Sequence, residues 1–246
     1  MNYKVKIITS NKNFTIETLD EILNKEYKFT KFSKFGYSEP LKHKIFKNCS
    51  AKAIELFNTY ENIIIKGTKK FYLSNMRFPN GISIWNIDFT DKNISTTTIN
   101  EVIDLMESFA KNSQLLFAHF STEAEFDIKH KEIDDCSVGW EGVSVWDYEN
   151  FLPGVYWYTL FGSELVNTLG EHKLTNIPNV NYVKTPNNCI SFHLKEPINS
   201  DNWKQRQKSL DDLGYLIHPN LFYKKGIDKS NLNHLKAYKT YLKALK

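Results

Sequence analysis

Residues Phe71 to Phe89 read FYLSNMRFPNGISIWNIDF. Two runs rich in aromatic and β-branched residues, 71–78 and 82–89, flank Pro79-Asn80-Gly81. Proline presets φ for a turn, and asparagine and glycine tolerate the positive φ that closes one, so the spacing predicts a β-hairpin. A hairpin pairs its strands antiparallel, and the surrounding sheet is expected to follow.

Working outward, Tyr3, Val5 and Ile7 alternate with polar residues, a strand pattern. Ile16, Leu19, Ile22 and Leu23 recur at helical spacing over residues 15–26. After a lysine-rich connection to Asn48, Ser50 is placed to cap a helix carrying Ala53, Ile54, Phe57 and Tyr60. Ile63-Ile64-Ile65 then reads as a short buried strand closed by Gly67. Beyond the hairpin, Thr98 and Glu101 have the spacing of a capping box, ahead of a helix with Ile99, Val102, Ile103, Met106, Phe109 and Ala110 on one face. Leu115–Phe120 reads as a strand, and Thr122 with Glu125 as a second capping box before a short helix ending near Lys131.

The second half replays this order. Residues 181–183, Pro186-Asn187-Asn188 and 190–192 form another hairpin pattern. A helix follows with Ser200 as cap, Trp203 and Leu210 facing inward, Gly214 as stop and Leu216-Ile217 as closing strand. The expected fold is α+β: antiparallel sheet with helices packed on one face, built from two related hairpin-plus-helix lobes. We expect one domain over residues 1–246, with lobes at 1–135 and 136–246.

The 246-residue chain is 41% hydrophobic, 14% aromatic and 24% charged, enough to build a buried core. No apolar run approaches the roughly 18 residues that span a bilayer, so no membrane segment is expected. The strand-like N-terminus differs from the apolar block of a secretion signal, and a cytoplasmic location is expected. Cys49, Cys136 and Cys189 contain no CxxC and read as buried thiols. The preference for Lys over Arg fits an AT-rich coding genome. A formal charge of +4 is too small to demand nucleic acid as a partner.

The seven histidines include no i, i+4 pair, and neither a phosphate-binding glycine loop nor a G-x-S-x-G motif occurs. His119, Glu123, Asp127 and His130 stand closest to a metal-ligand set, which defines the alternative function of a metal-dependent hydrolase. Otherwise no catalytic residue, metal or cofactor is expected. Charge is the stronger signal. Residues 123–149 carry nine acids against Lys129 and Lys131, a net −7 that leaves +11 for the rest of the chain. Trp140, Trp146 and Tyr148 are interleaved with these acids. Aromatic anchors ringed by one sign of charge have the composition of a protein-binding hot spot, whose carboxylates steer a basic partner and repel nucleic acid. The expected contact residues are Glu132, Asp134, Asp135, Glu141 and Asp147 for charge, with Trp140 and Trp146 as anchors. Lys224–Lys246 holds seven lysines against Asp228 and reads as a basic helix with Leu232, Leu235, Leu242 and Leu245 on one face.

FLPGVYWYTLFGSELVNTLG, Phe151 to Gly170, has two readings. Its aromatics are either core behind a Pro-Gly turn, followed by a short helix capped by Ser163 and ended by Gly170, or a ligand or partner surface formed by Tyr156 and Tyr158. Within residues 152–174 the run LPGVYWYTLFGSELVNTLGEHKL resembles an LPG-(V/I)-YW…FG…(Y/L)V…(L/F)G segment of the immunity protein 52 family and its relatives among type VI secretion immunity proteins, part of the bacterial polymorphic-toxin systems. The resemblance implies a non-enzymatic cytoplasmic α+β protein that binds and blocks a cognate toxin domain, often a nuclease. It transfers no binding residues.

Overall fold

In the computed structural model the N-terminal alternation becomes a central strand of a ten-stranded antiparallel sheet. The structure describes residues 1–10, 16–25, 27, 31–45, 49–67, 71–112, 115–133, 139–185, 187–199, 203–226 and 228–231. In chain order the first half contains β1 (Asn2–Ser10), α1 (Ile16–Asn24), β2 (Phe32–Gly36), β3 (His43–Lys44), α2 (Ser50–Tyr60), β4 (Asn62–Gly67), β5 (Tyr72–Arg77), β6 (Ile82–Thr90), α3 (Thr96–Asn112) and β7 (Leu115–Thr122). There follow α4 (Glu123–His130), β8 (Lys131–Ile133), β9 (Gly139–Glu141), β10 (Tyr158–Phe161), α5 (Ser163–Leu169), α6 (Glu171–Thr175), β11 (Val180–Lys184), β12 (Ile190–Leu194) and α7 (Trp203–Ile217). The sheet order is β11-β12-β10-β7-β1-β6-β5-β4-β2-β3, with β8 and β9 in a separate two-stranded hairpin. The sheet runs without a break from the first half into the second through the β7–β10 ladder.

The Phe71–Phe89 hairpin forms as read, in register from Tyr72 opposite Asp88 to Arg77 opposite Ser83. Gly81 takes φ 86°, and the Asn80 side chain accepts a hydrogen bond from the Ile82 amide at 3.3 Å. One face of the sheet presents Tyr3, Val5, Ile7, Leu73, Trp85, Ile87, Phe89 and Phe120, all buried. This face packs on the helices of the first half, with Trp85 and Phe109 of α3 having ring centroids 5.0 Å apart.

On the opposite face α4 lies across β1 and β7, stacking Phe126 on His119, and α7 packs on α4. The α+β antiparallel design is thus present, and the two hairpin-plus-helix units place their helices on opposite faces. The reason is that β7, β10 and β12 carry large apolar side chains, Phe117, Phe161 and Phe192, on that second face. Burying them requires a cover.

Several boundaries move. Helix α3 starts at Thr96, and its cap is Ser95, whose Oγ accepts from the Thr98 amide at 3.1 Å. Thr122 does cap α4, accepting from Glu125 N at 3.2 Å. Cys49 and Gly162 occupy the cap positions expected of Ser50 and Ser163, which instead open their helices. Helix α7 continues past Gly214 to Ile217, so Leu216-Ile217 is its last turn and not a strand. Gly214 serves close packing there: a Cβ would stand 3.3 Å from Phe222 Cδ2 and 3.4 Å from Val155 Cγ2. Ser200, Cys136 and the basic segment beyond Asn231 lie outside the described residues. Among the described residues no helix is long and apolar enough to cross a membrane.

Candidate functional site

The five aromatics of Phe151–Gly170 are all buried, which decides that stretch as core. Trp157 Nε1 donates to the Glu196 carbonyl at 2.7 Å, and Gly170 ends α5 at φ 90°. Tyr156 and Tyr158 are 0% and 1% exposed, so they form no outer surface.

The acidic segment sits on this core. The β8–β9 hairpin sets Glu132 opposite Trp140 and Lys131 opposite Glu141. Gly142 N donates to the His130 carbonyl at 2.6 Å, and Asn80 Nδ2 to the Val145 carbonyl at 3.2 Å, which ties the segment to the tip of the β5–β6 hairpin. A 3-10 turn over Val145–Glu149 follows. Asp147 Oδ2 holds its start by accepting from Ser144 N at 2.8 Å and Oγ at 3.0 Å, and it lies 3.4 Å from Lys229 Nζ. Trp146 is 56% exposed on this turn, whereas Tyr148 is buried. An indole left in solvent on an anchored backbone is an available contact.

All four of the segment's acids whose side chains are described are ion-paired within the chain. Glu123 meets Lys4, Asp127 meets Lys131, Asp147 meets Lys229, and Glu125 meets Arg206. The side chains of Glu132, Trp140, Glu141 and Glu149, and all of Asp134 and Asp135, lie outside the described residues.

The alternative metal set does not assemble. Glu123 and Asp127 turn to lysines, while His119 and His130 both pack against the Tyr156 ring, at centroid distances of 3.7 and 5.2 Å. Among the described residues no group of three His, Cys, Asp or Glu side chains is placed to hold a metal ion. The spacing that suggested a ligand set instead aligns two rings along one aromatic stack.

Beneath the acidic segment lies a buried polar layer that sequence reasoning missed. Glu125 and Arg206 are fully buried, with Nη2 to Oε2 at 3.1 Å and Nε to Oε1 at 3.4 Å; Arg206 also donates to the Pro197 and Ile198 carbonyls at 2.8 and 2.9 Å. Burial pushes the Glu125 carboxyl upward in pKa and Arg206 pulls it back. Lys129, 5% exposed, pairs with Asp211 at 2.7 Å and donates to the Val155 carbonyl at 3.0 Å. A signal for Arg206 was present: only two of the 32 basic residues are arginines. Where lysine is the default cation, an arginine marks a site that needs a planar fork.

His119 and His130 are also buried, and among the described residues none of their ring nitrogens has a hydrogen-bond partner. Burial, reinforced by nearby Lys6 and Lys129, holds both pKa values well below the ordinary histidine range. The unfolded chain takes up these protons near pH 6.5, and the folded chain only at lower pH. Stability is therefore complete above about pH 6.5 and falls as pH drops, by about 1.4 kcal/mol per pH unit for each histidine. Urea unfolding at pH 7.5, 6.5 and 5.5 should show the midpoint constant over the first step and lower at the second. His119→Phe, which keeps a stacked ring, should remove about half of that decline. A flat profile would mean that these rings are not buried neutral.

No protein-family model matches this sequence, and no curated protein matches it. Among solved structures, the chain is similar to a chain in the crystal structure of the toxic C-terminal tip of CdiA from Pseudomonas aeruginosa in complex with immune protein. The identity is 13%, covering 50% of this chain and 88% of that one, with a TM-score of 0.28. A superposition that loose carries no argument about fold or function.

Proposed function

We propose that this is an immunity protein, which binds and neutralises a cognate antibacterial toxin acting in the cytoplasm, such as a nuclease, in the manner of type VI secretion and other polymorphic-toxin systems. The observation that carries the reading is the concentration of charge: −7 within residues 123–149 of a chain that is otherwise +11, beside a solvent-exposed Trp146. A nuclease presents a basic face to its substrate, and carboxylates on an inhibitor imitate the phosphates that face expects. The likeness of residues 152–174 to immunity protein 52 relatives supports the same class, and the aromatics of that run, being buried, contribute no contacts.

In this reading residues 1–246 act as a single domain, and the partner surface comprises Glu132, Asp134, Asp135, Trp140, Glu141, Trp146 and Asp147. It needs no cofactor, and neither nucleic acid nor membrane is a partner.

The test is co-purification with the product of the adjacent upstream gene, followed by titration of the complex at low and high salt. A tight complex weakened by salt is expected. Reversing Asp134 and Asp135 to lysine should slow association about tenfold at low salt, while Trp140→Ala or Trp146→Ala should speed dissociation by about tenfold or more. Unfolding midpoints should stay near the parent value. Equal loss of stability in all these variants, or no complex at all, would sink the reading.

A further inference from the structure

The ten-stranded sheet ends differently on its two sides. One edge is β3, two residues long; the other is β11, Val180–Lys184, which among the described residues is held by β12 on its inner side only. Thr185 N donates to the Cys189 carbonyl at 2.9 Å and Lys195 N to the Asn179 carbonyl at 3.3 Å, which fixes the phase of this antiparallel ladder. Residues 179, 181, 183 and 185 therefore exchange hydrogen bonds with β12, and the N–H and C=O groups of Val180, Tyr182 and Lys184 point away from the sheet. No described residue takes them up. Tyr182 lies on the face of Phe192 and Val183 on the opposite one, 52% and 50% exposed, so neither face of the strand is covered there.

A free row of backbone groups beside apolar side chains is a template for another strand, and natural edges are blunted by shortness, proline or charge. Shortness blunts β3. On β11 the prolines stand outside the strand, at Pro178 and Pro186, and the one charged side chain, Lys184, is paired with Glu171 of the same chain at 2.7 Å. The strand with its paired glutamate carries no net charge. That offers a basic toxin face nothing to pair with, and it lets a second copy of this chain approach without repulsion. Antiparallel pairing is also self-complementary here. A two-fold axis at Tyr182 sets that residue opposite its own counterpart, Val180 opposite Lys184 of the other copy, and Asn181 opposite Val183. No like charges then face each other, and the two Tyr182 rings form a cross-strand aromatic pair.

We propose that β11 is a homodimerisation edge: two copies of this chain pair β11 with β11 antiparallel about a two-fold axis at Tyr182, continuing the sheet from one protomer into the next. Each copy satisfies the other's outward backbone groups at Val180, Tyr182 and Lys184, and Tyr182 and Val183 lose solvent exposure on their two faces. A strand of five residues makes a small contact, so the dimer is weak, with a Kd on the order of 10–100 µM. The edge is separate from the acidic segment of residues 123–149, and the inference does not depend on the toxin reading.

The test is sedimentation equilibrium of the purified full chain from about 5 to about 500 µM, a range that brackets such a Kd. A mass rising from monomer towards dimer is expected. Tyr182→Pro removes an outward N–H and no bond to β12, so it should weaken the dimer at least about tenfold while the melting temperature stays close to that of the parent. Tyr182→Lys, at the same exposed position, sets two ammonium groups face to face and should weaken it as much. If the proline variant does not fold, the lysine variant takes its place. An equal mixture of Tyr182→Lys and Tyr182→Glu should dimerise more tightly than either variant alone, because opposite charges then meet across the axis, a result specific to a register centred on residue 182. A parent that stays monomeric over the whole range would overturn the proposal. So would a dimer unchanged in Tyr182→Pro and Tyr182→Lys, which another surface, such as the exposed Tyr215 and Leu216 of α7, would then hold.

Discussion

Arg206→Met should lower the unfolding free energy by about 3–5 kcal/mol, because it leaves the Glu125 carboxylate buried without its counter-charge. Glu125 has no exposed surface, and its two oxygens face the guanidinium at 3.1 and 3.4 Å. The same substitution strips donors from the Pro197 and Ile198 carbonyls. Adding Glu125→Met to Arg206→Met should recover more than half of the loss. Removing both charges ends the desolvation penalty and leaves the two carbonyls as the remaining cost. Urea denaturation of the parent, the two single variants and the double variant gives the comparison. A loss below about 1 kcal/mol in Arg206→Met would mean that water reaches the pair. This pair joins α4 to α7 and so holds the second-face helices together. Its loss should also raise hydrogen exchange in α7 more than in α3, which packs on the other face.

Gly162→Ala is expected to cost about 3 kcal/mol or more, although Gly162 has an ordinary φ of −66°. A Cβ there would collide with the backbone carbonyl oxygen of Leu115 and stand 2.8 Å from its carbon, and neither atom belongs to a flexible side chain. Gly162 N also donates to the Leu116 carbonyl at 3.0 Å, so the residue cannot move away without opening the β7–β10 junction. For a chain of this length the melting temperature should drop by roughly 6–12 °C. Gly226→Ala is the contrast. There φ is 81° and nothing lies within 4 Å of the added Cβ, so the cost is confined to backbone strain of about 1–2 kcal/mol. Equal losses in the two variants would show that the β7–β10 contact yields more readily than its geometry implies.

Part of the candidate site is legible in the order of residues along the chain. Charge counting finds the acidic segment, on which the structure leaves Trp146 exposed and Tyr148 buried. Counting does not separate acids that face outward from those already paired. Glu125 stands in the same run as the others, yet its partner lies 81 residues away. Nor does it show that the histidines of the metal alternative are spaced to stack on Tyr156.

By itself the sequence determined what depends on neighbours along the chain. The β5–β6 hairpin follows from Pro79-Asn80-Gly81, the cap of α4 from Thr122, and the absence of a membrane-crossing helix among the described residues from composition. These are outcomes of backbone dihedrals, local hydrogen bonds and short-range periodicity, which a few residues settle. The tertiary structure alone decided that α3 and α7 cover opposite faces, that Arg206 neutralises Glu125, and that Lys6 and His119 meet across two strands. Those contacts join residues 81 to 113 positions apart, or depend on which sheet face a helix crosses. Strand register and the burial of large apolar side chains select them, and neither quantity exists until the chain is folded.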